Sequence, residues 1–375
     1  MMSRKNVVFS FMILFSLVYA VWVGTQYGVC KIENGRFDKP IISPPVVTRE
    51  KHNKNYNILL VGYLRGGTTF TGNILGLRRG NFYIYEPLHA QNTWGYYKPG
   101  HTCSIKEESC IKSNGTDALI LATLRGLFNC DSNTLKRSLL IWQVLKGKGY
   151  DGGLGNQEWI KYVPECHGEE RNCVENFVNY CMNSSAVVSK IPRISLGLAS
   201  ELLNTEPNLK IIHLLRDPRG IMQSRNVLKW TPPPGGSISL CNKMTDDYAT
   251  SDIIRETHPG RLLTIFYEDL VTLPTETVRR MYEFAGFDFD KSEQIRLGEL
   301  TGVNTNNMLT SSNKQTSLQV AMGWRTRINQ NFLDAIDPGC TNLYKLLGYP
   351  PLNGPEELQN SSIPLRMPTI KDSSI

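Results

Sequence analysis

The chain has 375 residues, 41% hydrophobic, 20% charged and 9% aromatic, a balance that excludes a disordered or fibrous protein. Its 41 Lys and Arg against 34 Asp and Glu leave a formal charge of +7. The excess is scattered rather than striped, which argues against a nucleic-acid partner and for a pocket that takes an anion. Two domains would fit the length, but one α/β domain of about 300 residues accounts for it once the two atypical ends are set aside.

In chain order, residues 1–6 carry Arg4 and Lys5 and precede an uncharged run from Val7 to Val23. This pattern predicts a short cytoplasmic tail and a transmembrane signal anchor over 7–23, with everything after it lumenal by the positive-inside rule. Val18-Tyr19-Ala20 also suits a signal-peptidase site, but Trp22 and Tyr27 suit an interfacial anchor, which is the preferred reading. Residues 24–55, with Pro40, Pro44 and Pro45 and no apolar period, read as a lumenal stem. Nine cysteines and sequons at Asn114, Asn183 and Asn360 agree with an oxidising, glycosylating compartment. Cys103 with Cys110 and Cys166 with Cys173 are spaced for local disulfides, zinc is disfavoured by the lack of CxxC spacing, and Cys30 is the odd thiol.

The catalytic domain is expected over 56–350 and a flexible tail over 351–375. Apolar runs at Ile58–Val61, Phe82–Tyr85, Ala186–Ser189, Ile211–Leu215 and Leu262–Phe266 predict buried strands. Helical periods at 69–77, 218–229, 274–285 and 340–347 alternate with them. That alternation predicts an α/β fold on a mainly parallel sheet, with ligands beyond the strands' carboxyl ends.

After the first strand, Gly62-Tyr63-Leu64-Arg65-Gly66-Gly67-Thr68-Thr69-Phe70-Thr71 occupies the place of a phosphate-binding loop. Glycines let backbone N–H groups approach an anion, the helix N-terminus adds its dipole, and Thr68, Thr69 and Thr71 add hydroxyls. A Walker A loop would place Lys where Thr68 stands, whereas here the cation is Arg65, at the crown. A second strand-to-helix junction, Leu215-Arg216-Asp217-Pro218-Arg219 followed by Ser224, combines an N-cap Asp and an N1 Pro with Arg216 on the same sheet edge. Arg216 and Ser224 are placed to grip a second phosphate; the plainer alternative is surface ion pairing of Arg216 and Arg219.

Together these segments resemble the 5′-phosphosulfate and 3′-phosphate motifs of the Golgi carbohydrate sulfotransferases that use 3′-phosphoadenosine 5′-phosphosulfate. Arg65-Gly66-Gly67-Thr68-Thr69-Phe70 is similar to that family's R-x-G-[ST]-[ST]-F segment. Counterparts also exist for Phe82–His89, Val188–Arg193, Tyr267-Glu268-Asp269-Leu270, Gly323-Trp324-Arg325 and Leu347-Gly348-Tyr349. The likeness is greatest to the galactose, N-acetylgalactosamine and N-acetylglucosamine 6-O-sulfotransferase branch. It implies a single-pass type II Golgi membrane enzyme with a P-loop-like three-layer sulfotransferase fold, a glycan or proteoglycan acceptor, and no metal; a homodimer is compatible with it. Gly66, the paired threonines and an Asn/Thr-rich stretch over 301–317 depart from the pattern, and bear on the acceptor rather than the donor.

For sulfuryl transfer, Arg65, the loop amides and Thr68–Thr71 would neutralise the transferring group, and Arg216 with Ser224 would hold the 3′-phosphate. Glu86 is the first candidate for the base that takes the sugar proton and His89 the second; Glu86 alternatively pairs with an arginine. Lys190 and Arg193 would orient donor or acidic glycan, and Trp94, Tyr96, Tyr97 and Trp159 either stack on sugars or anchor loops. The rival readings are a lumenal P-loop kinase, which Mg²⁺ dependence would reveal, and a catalytically inactive glycan-binding relative.

Overall fold

The structure, a computed structural model, describes residues 56–89, 91–105, 109–138, 171–230, 235–302 and 316–369. The expected anchor, stem, Cys30, Cys166 and Trp159 lie outside the described residues. Among those described, no helix is long and apolar enough to cross a membrane.

Five strands form one sheet: β1 (Asn57–Val61), β2 (Asn81–Tyr85), β6 (Ala186–Ile191), β7 (Leu209–Leu215) and β8 (Leu262–Phe266). Their order is β2-β6-β1-β7-β8 and every pair is parallel. Each run is mostly apolar rather than alternating, with Ser189, Lys190, His213 and Thr264 buried among its apolar residues, as expected when helices cover both faces. Ile58, Leu59, Leu60 and Val61 are wholly buried, each such side chain contributing roughly 1.5–3 kcal/mol of transfer free energy.

The helices are α1 (Thr68–Leu77), α2 (Thr116–Phe128), α3 (Arg171–Met182), α4 (Leu196–Ser200), α5 (Pro218–Val227), α6 (Gly235–Thr257), α7 (Tyr267–Thr272), α8 (Pro274–Ala285), α9 (Lys291–Thr301), α10 (Ser317–Met322), α11 (Gln330–Leu347) and α12 (Pro355–Gln359). Three of the four expected helices begin within a residue of the sequence reading. α11 begins ten residues before its expected start at 340. Pro338 in its interior disguises it, while Asn329 caps it by accepting the Phe332 N–H and Leu333, Ile336, Cys340, Leu343 and Leu347 make one buried face.

A small antiparallel sheet, β3 (Gly95–Lys98), β4 (His101–Ser104) and β5 (Cys110–Lys112), carries the expected Cys103–Cys110 disulfide between directly opposed residues. Cys130–Cys181 and Cys241–Cys340 are further disulfides that local spacing cannot suggest, since 51 and 99 residues separate their ends. Tyr96 and Tyr97 are buried and act as anchors of this sheet rather than open sugar platforms. Asn114, Asn183 and Asn360 are all exposed.

The segment after 350, expected as a loose tail, is docked through residue 369. Leu352, Leu358 and Leu365 are buried, and the Arg325 guanidinium donates to the carbonyls of Ile363 and Pro364. Its Pro and Ser content hid three well-spaced leucines that supply the burial.

Candidate active site

In a parallel sheet all carboxyl ends lie on one edge, and here that edge collects the expected site residues. Across it run Glu86 after β2, Lys190 and Arg193 at the end of β6, Arg65 after β1, Arg216 after β7 and Tyr267-Glu268 after β8. The order reverses around β1, with β6 and β7 as its two neighbours, so the Arg65 loop opens at the topological switch.

The loop turns tightly, with the Gly66 N–H donating to the Tyr63 carbonyl at 2.8 Å. Arg65 takes a left-handed φ of 71° and Gly67, the N-cap of α1, one of 88°. A Cβ on Gly67 would run into the Tyr267 ring, so glycine is required by close approach as well as by φ. Thr68 and Thr71 are buried, and the Thr71 hydroxyl donates to the Gly67 carbonyl within its own helix at 3.3 Å. Phe70 packs edge-on against Tyr267, 6.2 Å between ring centroids, which makes it a packing residue of the loop.

The two anion-type junctions meet directly. Arg65 Nε donates to Ser224 Oγ at 2.9 Å, and an Arg216 Nη donates to the Arg65 carbonyl at 2.9 Å. Arg216 also lies over the Tyr267 ring at 4.5 Å, and Arg65 over Trp230 at 5.8 Å. Asp217 caps α5 by accepting the Arg219 N–H and grips the Arg219 guanidinium, but this pair is buried. Surface pairing therefore fails for Arg219, which ties the junction to the Pro350 carbonyl instead.

Glu86 also has a left-handed φ, 43°, and its buried carboxylate is paired with both Lys190 and Arg193. Lys190 Nζ donates in addition to Thr69 Oγ1 at 3.1 Å, linking the carboxylate to the first turn of α1 through one ammonium. Burial, and then Arg65, push that ammonium well below its ordinary range. Arg193 donates to the carbonyls of Asn92 and Thr93 at 2.8 and 3.0 Å, so it also fixes the loop that leads to Trp94. His89 is half-buried one turn on, its N–H donating to the Glu86 carbonyl at 2.9 Å. Among the described residues no group of three His, Cys, Asp or Glu could hold a metal ion.

Several supporting residues were not singled out from sequence. Arg225, one residue beyond Ser224, is buried and donates twice to the Leu64 carbonyl at 3.2 Å. Asp247 on α6 accepts the Leu196 N–H at 2.7 Å, the Lys243 ammonium at 2.6 Å and the Tyr63 hydroxyl at 3.1 Å. It thereby ties the turn after β6 to the base of the loop. Glu268 accepts the Asp217 N–H at 2.9 Å and the Tyr349 hydroxyl at 3.1 Å. Arg225 directly follows Ser224 and Glu268 lies inside the quoted Tyr267-Glu268-Asp269-Leu270 segment, though neither was given a role of its own; Asp247 lies mid-helix, with no signal of its own.

Two of the buried groups titrate in opposite senses. Burial holds the His213 imidazole down to about 4, so its contribution to stability is present above the unfolded value of about 6.5 and is lost as pH falls towards 4. Burial, and then the Asp217 charge, raise the Glu268 carboxyl to about 7, so its contribution is present below about 4.5 and is lost as pH rises to 7. Each changes stability by about 1.4 kcal/mol per pH unit, and between about pH 4.5 and 6.5 they offset. Glu268→Gln should therefore gain about 2–3 kcal/mol relative to wild type on going from pH 4.5 to 6.5. Urea unfolding at the two pH values checks this, and a difference that does not change with pH would refute it.

Residues 155–291 match the sequence profile of the sulfotransferase family. Carbohydrate sulfotransferase 1 of Danio rerio is 26% identical over 357 residues, covering 83% of each chain. Carbohydrate sulfotransferase 4 of Mus musculus is 23% identical over 362 residues, 84% of this chain and 88% of that one. Among solved structures, the sulfotransferase domain of the Synechococcus PCC 7002 olefin synthase covers 78% of this chain and 96% of that chain at 19% identity with a TM-score of 0.40, a likeness too low to bear on the site.

Proposed function

We propose that this homologue of the carbohydrate sulfotransferases transfers the sulfuryl group of 3′-phosphoadenosine 5′-phosphosulfate to a sugar hydroxyl, a 6-hydroxyl of galactose, N-acetylgalactosamine or N-acetylglucosamine in a glycan or proteoglycan. It works as a type II enzyme on the lumenal side of the Golgi membrane. The observation that carries the reading is the direct contact of the two cationic junctions through Arg65, Ser224 and Arg216. A ligand with anionic groups at both ends, one at the start of α1 and one at the start of α5, meets both at once.

In this reading the loop amides from Gly67 to Thr69, Arg65 and the Lys190 ammonium neutralise the sulfuryl oxygens and the departing 5′-phosphate. The sugar oxygen attacks sulfur in line, the bond from sulfur to the phosphate oxygen breaks, and the hydroxyl proton passes to Glu86. Arg216 and Ser224 hold the 3′-phosphate, which separates this donor from ATP. A lumenal kinase is disfavoured by Thr68 in the lysine position.

Transfer of labelled sulfate from the donor to a panel of neutral and acidic glycans tests the reaction, with Mg²⁺-dependent phosphate transfer as the outcome for a kinase. Arg216→Ala or Ser224→Ala should weaken binding of adenosine 3′,5′-bisphosphate by at least tenfold in calorimetry, about 1.4 kcal/mol or more, while leaving adenosine 5′-phosphate affinity within about twofold. Equal affinity of variant and wild type for the bisphosphate would remove both residues from the 3′-phosphate site.

A further inference from the structure

A cavity opens one residue before Arg65 that the donor contacts leave unused. Tyr63 and Leu64 line it from the loop, Pro192 from the turn that carries Arg193, Tyr96 from β3, and Arg225 and Lys243 from α5 and α6. Its open mouth is shared with solvent; the enclosed part, about 20 Å³ for the centre of a water-sized group, admits a small charged group rather than a ring.

Its cations are unequally matched. Lys243 is neutralised by Asp247. Arg225, only 4% exposed, has no carboxylate partner among the described residues; its Nε and one Nη donate to the Leu64 carbonyl, and the other Nη has no protein partner among them. Burial, reinforced by Arg65, lowers this guanidinium to about 10, which no nearby acid opposes. A buried cation without a counter-charge is expensive, and is retained where an anion completes it. The amino end of α6 lies on the same cavity, which Gly236 and Ser239 of its first turns line beside Arg225, and a helix amino end favours an anion.

We propose that this cavity is an acceptor subsite for an anionic sugar, its carboxylate or sulfate ester held by Arg225, Ser239 and the start of α6 against the Tyr63 and Tyr96 walls. The inference rests on the sulfotransferase reading above and narrows its acceptor. With Arg65 on one side and Pro192-Arg193 on the other, an acid bound here lies next to the transferring group, so it belongs to the sugar that reacts or to its immediate neighbour in the chain. Neutral glycans would still reach Glu86 and Arg65 but would leave Arg225 uncompensated, and so bind more weakly.

The test uses three oligosaccharides of one backbone: neutral, carrying a uronate, and carrying a sulfate ester. Wild type should favour one or both acidic forms over the neutral one by tenfold or more in kcat/KM, and the preferred form identifies the anion. Arg225→Gln keeps a donor for the Leu64 carbonyl but deletes the charge, and should bring the ratio of kcat/KM for acidic over neutral acceptor down to about one. Ser239→Glu, at a half-exposed position, should fill the subsite with its own carboxylate and give the same result should Arg225→Gln not fold. Parallel loss on all three acceptors in Arg225→Gln would make Arg225 a brace of the loop, and an unchanged preference in Ser239→Glu would overturn the subsite. Absence of transfer to every acceptor by wild type defeats the parent reading instead, so the two failures are distinguishable.

Discussion

Arg65→Ala should lower sulfuryl transfer to less than a tenth of the wild-type rate at saturating donor and glycan, a loss of more than about 1.4 kcal/mol of transition-state stabilisation. The same variant should melt close to wild type. Arg65 is exposed, and among the described residues its side chain contacts Ser224 and Trp230 and pairs with no carboxylate. Exposed contacts of that kind contribute little to folding. Its carbonyl, which holds Arg216, survives the substitution, and the left-handed φ of 71° strains Arg and Ala alike. The cation is therefore separable from the loop's shape. Arg65→Lys should recover part of the rate, since it restores charge without the planar fork that reaches Ser224. Initial rates measured beside thermal melts decide the matter: more than a tenth of the rate left in Arg65→Ala would take Arg65 out of the chemical step.

Much of this edge was legible because its signals are local. Each strand is a largely apolar run, and the glycines, Asp217 and Pro218 mark where loops become helices, so the order of strand ends and cations followed directly. Partners far apart in sequence were not legible. Ser224 and Arg65 are 159 residues apart, and only the parallel pairing of β1 with β7 brings their loops together. Arg219 looked like a surface charge because nothing in its neighbours tells that α11 and the Pro350 carbonyl will close over it. The docked segment after 350 misled for the opposite reason: its composition is that of a tail, yet a leucine every six or seven residues is enough to hold it. Glu86 stood at the right strand end, but its two counter-cations come from β6 and the turn after it, more than 100 residues away.

That pairing gives Glu86 two tasks, and Glu86→Gln should separate them. As the counter-charge of buried Lys190 and Arg193 its loss leaves two cations uncompensated, and stability should fall by about 3–5 kcal/mol. Rates must accordingly be expressed per folded molecule, at a temperature where the variant remains native. As the proposed base its loss acts only in the chemical step, because the amide keeps the size and a hydrogen-bonding oxygen but cannot accept the sugar proton. The kcat of folded enzyme should then drop by on the order of 10²- to 10⁴-fold with affinity for adenosine 3′,5′-bisphosphate nearly unchanged. His89→Gln should lower kcat less, since it stands a turn further from β2. If folded Glu86→Gln keeps near-wild-type kcat while His89→Gln loses it, His89 is the base. Glu86 then serves Lys190 and Arg193 alone, holding the ammonium against Thr69 and the loop beneath the sulfuryl group.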